Sequence, residues 1–285
     1  MGAVAGEAGV LGPEVFTRPD GVAEELWTAL GTVRDPELDA PVTDLGFVAG
    51  VSSVEGAVEV ELRLPTYFCA PNFAYLMVAD AYDAVAAVPG VRKVVVRLED
   101  HFASDEINNG VAASRGFEGS FPGLADGELE ELRRTFRRKA HRACQEQVAS
   151  RLLKAGWTML TLADTTLGEA DAALDSKVEL ERLLRRRDDL GLDHGPEAAL
   201  LVQDDGTPIT AVDLPLQLRM AKTTRISIEG NSGLCRGLLS VRYGLPRPAG
   251  VDQAAEPQAE HQSAQQQSAP FQPAQFQPAQ YQAAE

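Results

Sequence analysis

Val22, Leu26, Trp27 and Leu30 recur at helical spacing and stop at Gly31, which predicts a short amphipathic helix with a glycine stop. Arg34 to Asp44 reads as a loop. The period then changes: Phe47 to Val54 is β-prone, Glu55-Gly56 is a turn signal, and Val58, Val60, Leu62 and Leu64 alternate with Glu59, Glu61 and Arg63. A hairpin with one wet face is expected there. Pro71 sits where a first helical turn accepts it, and Phe73, Met77, Ala81, Ala84, Val85 and Val88 trace one helix face up to the Pro89-Gly90 stop. Val91 to Leu98 supplies a third strand. The order helix, strand, strand, helix, strand predicts a small α+β domain over residues 21–103.

Residues 104–125 form a connector rich in Gly, Ser and Asn. Beyond it Asp126 is placed to cap a long helix whose first turn carries Glu128, Glu130 and Glu131, matching the helix dipole. Its apolar side holds Leu129, Leu132, Phe136, Ala140, Cys144, Val148 and Leu152 before Gly156. Trp157 to Leu162 reads as a strand, and Ser176-Lys177-Val178-Glu179 as a capping box opening a helix to about Leu190. Leu200 to Val202, the Asp204-Asp205-Gly206 turn and Arg225 to Ile228 suggest further strands, and Ser232 to Tyr243 a last short helix. Residues 126–248 are therefore expected to be a mixed α/β extension of open topology. The flanks differ: residues 1–20 read as a loose leader, and residues 249–285 are dominated by Gln, Pro and Ala, with Phe271, Phe276 and Tyr281 heading tandem units. Such a tail buries too little apolar area to offset chain entropy, so a disordered, solubilising tail is expected, its aromatics being candidate partner contacts.

Composition narrows the function classes. The net charge of -16 is uneven: residues 1–120 carry 7 basic against 19 acidic residues, residues 121–200 13 against 15. Nucleic-acid affinity rests on Lys and Arg neutralising phosphates, so nucleic acid is set aside as a partner. No run of about 18 apolar residues suits a membrane, and Met1 to Pro13 lacks the basic flank and apolar core of a signal peptide, so a cytoplasmic protein is expected. Cys69, Cys144 and Cys235 are odd in number and far apart, which points to reduced thiols.

Cys69 stands between the hairpin and the helix that starts near Pro71. Backbone N–H groups at that start favour negative charge, so the thiol is expected to shift towards the thiolate, the nucleophilic and metal-ligating form. Asp35, Glu37 and Asp44 fall in one loop beside the same sheet. A carboxylate cluster next to a thiolate is unfavourable unless a metal or a proton offsets the charge. Cys144 continues a core ladder rather than forming a metal pair with His141, and Cys235 reads as a packed thiol near a helix start. His101 and His194 read as solvated loop residues. The run Arg133, Arg134, Arg137, Arg138, Lys139 and Arg142 reads as the wet side of its helix.

Arg34-Asp-Pro-Glu-Leu, Pro41-Val-Thr-Asp-Leu-Gly-Phe-Val, the alternating hairpin, Thr66-Tyr-Phe-Cys-Ala-Pro and Val88-Pro-Gly-Val-Arg-Lys-Val-Val-Val follow one another in that order. Together they resemble the metal-sulfur (iron-sulfur) cluster assembly factor family of SufT/PaaD-like domains, over about residues 22–100. Two positions depart from the bacterial pattern: Ala70 intervenes between Cys69 and Pro71, and Pro65 stands where a second Thr is usual. The resemblance implies a small α+β fold and a role in maturing iron-sulfur proteins. It maps the family cysteine to Cys69, the acidic pair to Asp35 and Glu37, and the nearby hydroxyl to Thr66. It also implies a transient iron or iron-sulfur cluster in shared ligation, since a single thiolate does not hold a cluster alone.

The partners so implied are a client metalloprotein, other cluster-assembly proteins or a second protomer of a homodimer. With no Gly-x4-Gly-Lys-Ser/Thr loop, the chain is not the form fused to a nucleotide-hydrolysing carrier. The expected role is an accessory factor rather than a turnover enzyme. Two alternatives stand beside it: a thiol-dependent enzyme with Cys69 as nucleophile, and a metal-free adaptor for a metalloenzyme such as a diiron monooxygenase.

Overall fold

The computed structural model describes residues 16–121 and 128–245, all within one compact unit. The leader up to residue 15, the Asp126 cap and the tail lie outside the described residues. The fold is mixed α and β. Its N-terminal part opens with α1 (Glu24–Leu30), followed by the short antiparallel pair β1 (Arg34–Asp35) and β2 (Ala40–Pro41), the hairpin β3 (Val48–Val54) and β4 (Ala57–Arg63), then α2 (Pro71–Ala86) and β5 (Lys93–Glu99). The three main strands run in the order β3-β4-β5, with β4 antiparallel to β3 and parallel to β5.

The alternation in β4 explains its orientation. Val58, Val60 and Leu62 point into the core, while Glu59, Glu61 and Arg63 face outward. Helix α2 crosses that apolar face with Ala74, Met77, Val78, Ala81 and Val85 buried, the helical counterpart of the same core. The hairpin turns at Gly56, whose φ of +80° is one that L side chains rarely adopt. The carbonyl oxygen of Gly90 would lie 2.6 Å from any β-carbon placed there.

The expected loop at 34–44 is more ordered than anticipated. Arg34 pairs with Pro41 and Asp35 with Ala40 across β1 and β2, because the Asp35 carboxylate accepts the N–H groups of both Glu37 and Leu38 at 2.9 Å. That side-chain turn closes the bend that the ladder needs.

Residues 104–120, expected as a connector, form α3 (Ser104–Ala112) and α4 (Gly116–Ser120). Ile107 and Val111 join the N-terminal core, and Asn108 binds both the N–H and the carbonyl of Leu98. Two apolar residues one turn apart, Ile107 and Val111, were enough to bury a short helix whose polar composition suggested a linker.

The extension is helical, not mixed. It comprises α5 (Glu128–Lys154), α6 (Met159–Ala163), α7 (Leu167–Ala173), α8 (Val178–Leu190) and α9 (Leu214–Tyr243), with isolated bridges at Thr166/Ala199 and Val202/Pro208 as its only β pairing among the described residues. The strand expected at Trp157–Leu162 is α6, because Thr158 caps it by accepting the Thr161 N–H. The strand expected at Arg225–Ile228 lies inside α9, and the last helix begins 18 residues before Ser232, at Leu214. Packing overrides the β-branched Ile226 and Ile228 here: Arg225 pairs with Glu146 of α5 and, one turn on, with Glu229. The capping box also moves, from Ser176 to Thr166, which exchanges bonds with Glu169 at the start of α7.

Cys144, Val148, Leu152, Leu183 and Leu214 share a second core. The basic side of α5 is not simply wet. Arg133 grips Asp80 of α2 with two 2.8 Å bonds, and Arg142 pairs with Asp204. From α8, Arg186 reaches Asp39 at 3.1 Å, and the fully buried Arg187 donates to the carbonyls of Asp193, Ala199 and Leu200.

Candidate functional site

Cys69 occupies the turn that feeds α2, whose cap residue is Ala70 and whose first turn holds Pro71. The turn is fixed from the far side of the chain. His101 donates from Nε2 to the Cys69 carbonyl at 2.8 Å while its Nδ1 accepts the Ala103 N–H at 3.2 Å, and Phe102 N–H bonds the Tyr67 carbonyl at 3.1 Å. His101 is therefore buried rather than solvated, and both its ring nitrogens are spent on backbone. It cannot serve as a base for the thiol while it holds that position.

Asp35 and Glu37 lie near enough to Cys69 for their charges to act on its thiol. The Cys69 thiol is pushed up to about 12, first by burial and then by the negative charge of Asp35, with Cys235 and Glu37 adding to it. The N–H of Ala70 pulls the other way, as expected of a helix start, but it is outweighed. The expectation of an activated thiolate is thus corrected: in this conformation the thiol is protonated at neutral pH. Asp35 is pushed up to about 6 by burial, against the pull of the Leu38 and Glu37 N–H groups. Thr66 lies half-buried in the same turn as Cys69.

Sequence reasoning misplaced His101, left Asn231 unnamed, and weighed Cys235 as a helix-start thiol without linking it to Asp35 and Glu37. His101 was placed in solvent. Cys235 and Asn231 were hidden because the segment around them was divided between a strand and a short helix, when both lie on one continuous α9. Asn231 donates to Glu37 at 3.3 Å. Cys235, one turn further, is pushed up to about 11 by burial and by the charges of Asp35 and Glu37. The helix expected from Ser232 contains Cys235 but stops one residue short of Asn231, so their i, i+4 spacing fell across its boundary.

Two thiols and two carboxylates are donors that suit iron. As the side chains stand, no three His, Cys, Asp or Glu residues among the described residues converge tightly enough to hold a metal. Cys144 is apart from this group, buried in the second core. At the rim, Tyr67, Phe68 and Phe102 form an exposed ring cluster with centroids 5.0 to 6.3 Å apart. No helix among the described residues is long and apolar enough to cross a membrane.

The model of the iron-sulfur cluster assembly protein family matches residues 23–97, and the chain belongs to that family through this N-terminal part. An uncharacterized protein of Methanocaldococcus jannaschii is 34% identical over 86 residues, 30% of this chain and 88% of the relative. Iron-sulfur cluster carrier proteins of Mycobacterium bovis and Mycobacterium tuberculosis are 37% identical over 84 residues, 29% of this chain but only 22% of theirs. No solved structure matches the chain.

Proposed function

We propose that this protein is an accessory factor that receives or delivers iron-sulfur or related metal cargo for client proteins, with Cys69 as a cargo ligand and Asp35 and Glu37 as its neighbours. The observation that supports the reading is the family match over residues 23–97, which contains Asp35, Glu37 and Cys69, with both carboxylates near enough to Cys69 to add to the rise of its thiol. Cargo ligation is transient and shared, a client or second protomer supplying the remaining ligands. The exposed Tyr67, Phe68 and Phe102 cluster beside the turn supports handover at a protein contact, since aromatic residues dominate such surfaces. A thiol-dependent enzyme is the weaker reading, because the histidine at Cys69 is committed to backbone carbonyl and N–H groups.

The cytoplasm, where thiols stay reduced, suits such a role. Anaerobic loading with Fe(II) and sulfide tests it. Wild type should develop the visible absorption of thiolate-bound iron and Cys69→Ala should not; equal absorption in both would discard Cys69 as the ligand.

A further inference from the structure

Helix α9 turns one side inward and leaves an apolar stripe on another. Leu214, Ala221, Ser232 and Leu239 are buried, at spacings that keep them on a single side of the helix. On the far side, Leu216 and Met220 near one end and Leu234, Leu238 and Val241 near the other are 40 to 75% exposed. Between them the stripe passes over Thr223, Ser227 and Gly230, all exposed. Successive members are three or four residues apart, the spacing of a helix–helix seam. A helix that faces water carries polar residues outward, yet the charges of α9, among them Arg219, Lys222, Glu229 and Arg236, all lie off the stripe. A β-carbon placed at Gly230 would meet no atom within 4 Å, so nothing among the described residues covers the middle of the stripe. The Thr223 hydroxyl donates to the Arg219 carbonyl at 3.1 Å, so water can leave it without orphaning a donor.

The stripe has the same pattern in both directions along the helix. Leu216 and Val241, Met220 and Leu238, Thr223 and Leu234, and Ser227 and Gly230 are each placed evenly about one point beside Ile228. A two-fold axis requires such a pattern, because residue i of one copy meets j of the other and j meets i. The bulky residues stand at the ends, and the small ones at the centre let two backbones approach.

We propose that α9 pairs antiparallel with α9 of a second copy of this chain along this stripe. Leu216 packs on Val241 of the second copy, Met220 on Leu238, and Ser227 on Gly230 at the axis. Leu234 of the second copy comes over Thr223, at the mouth of a cleft of about 490 Å³ walled by Met220, Thr223 and Ser227 of α9, Arg142 of α5 and Val202. The axis sets two such knobs over two such clefts. The strip is about 38 Å long and about 10 Å wide, which with the cleft walls gives roughly 1,000 Å² over both copies. That is the size of a weak, reversible dimer. The pairing needs no residue of the family domain, so this proposal and the cargo reading can each fail alone.

Sedimentation equilibrium of the full chain from about 1 to about 200 μM spans the affinity expected of an interface this small. Wild type should pass from monomer to dimer across that range. Leu234→Glu should weaken the dimer about tenfold or more, with an unchanged melting curve because the side chain is exposed. A monomer at every concentration would overturn the proposal and leave the stripe to another protein or to the chain's own residues 246–285. A dimer of wild-type strength in Leu234→Glu would place the contact elsewhere and overturn it equally. Direction is tested by mixing Leu216→Cys chains with Val241→Cys chains under mild oxidation. The mixture should yield a disulfide-linked pair above the level that the native cysteines give in wild type. Neither variant should do so alone, since in an antiparallel pair its two copies of the new thiol are about 38 Å apart. Linkage of each variant with itself but not with the other would show a parallel pair and overturn the proposal.

Discussion

His101 holds Cys69 by its backbone, not by its sulfur: Nε2 lies 2.8 Å from the Cys69 carbonyl oxygen, across 32 residues of sequence. The bond ties the end of β5 to the turn before α2 and so sets where the thiol points. His101→Ala removes it and leaves the Ala103 N–H without its acceptor. A loss of about 1 to 3 kcal/mol is expected, the range for a buried polar group left unpaired. Iodoacetamide should also alkylate Cys69 faster than in wild type. An unchanged alkylation rate in a destabilised variant would mean that the histidine is structural and does not position the turn.

This relationship marks the border of what the residues alone disclose. The hairpin is legible because Val58, Val60 and Leu62 alternate with charge, and α2 because Pro71 and Pro89-Gly90 bracket an apolar face. Cys69, Asp35 and Glu37 can be named from the sequence because local motifs within the family match carry them. The place of Cys235 is not legible, since its neighbours are more than 160 residues away and its helix contains Gly230, Gly233 and Gly237. Each glycine costs a helix about 1 kcal/mol, which favours a turn on local grounds. Packing on α5 and on the N-terminal domain reverses that preference, and no local pattern reports such packing.

His141 is fully buried on α5, and neither ring nitrogen has a hydrogen-bond partner among the described residues. Burial lowers it to about 4, with Arg187 of α8 and Arg142 of its own helix repelling the proton and Asp204 attracting it. The unfolded chain takes the proton first, so this contribution is complete above pH 6.5 and is lost as pH falls towards 4. Between about pH 7.5 and about pH 5 it amounts to about 2 kcal/mol. His141→Leu should flatten the decline by that amount in urea titrations at the two pH values, and should be neutral or stabilising at the higher one. A variant whose stability falls with pH as steeply as wild type would assign the decline to other groups.

Asp35 carries the opposite sign. Its carboxyl is pushed up to about 6 from 3.8 by burial, so the folded state binds the proton more tightly than the unfolded one. The resulting penalty grows as pH rises from 3.8 through 6 and is complete above that. Asp35→Asn keeps an oxygen for the Glu37 and Leu38 N–H groups while removing the charge. It should stabilise the protein by up to roughly 3 kcal/mol at neutral pH, and by little near pH 4. The same change removes an oxygen donor beside Cys69, so metal loading should weaken as stability rises, a trade typical of functional sites. Melting curves alongside Fe(II) titration read both quantities, and a variant that is no more stable at neutral pH would show that the carboxylate is not strained there.

Cys69 and Cys144 should respond in opposite ways to the same substitution. Cys144 is 2% exposed and packed with Val148 and Leu152 in the second core. Cys144→Ser places a hydroxyl in that apolar space, and its cheapest partner is the carbonyl one turn back, a bond that bends helices. A cost of about 1 to 3 kcal/mol is expected, with metal loading per folded molecule unchanged. Cys69 is partly exposed in a turn, where sulfur-to-oxygen exchange changes little volume and should cost about 1 kcal/mol or less. A serine hydroxyl stays protonated near neutral pH and is a poor ligand for iron that prefers thiolate, so loading and client maturation should fail in Cys69→Ser. The readouts are client activity and metal content in cells expressing each variant, with melting curves of the purified proteins. Client activity intact in Cys69→Ser would leave this protein an adaptor that handles no metal, and the cargo reading would fall.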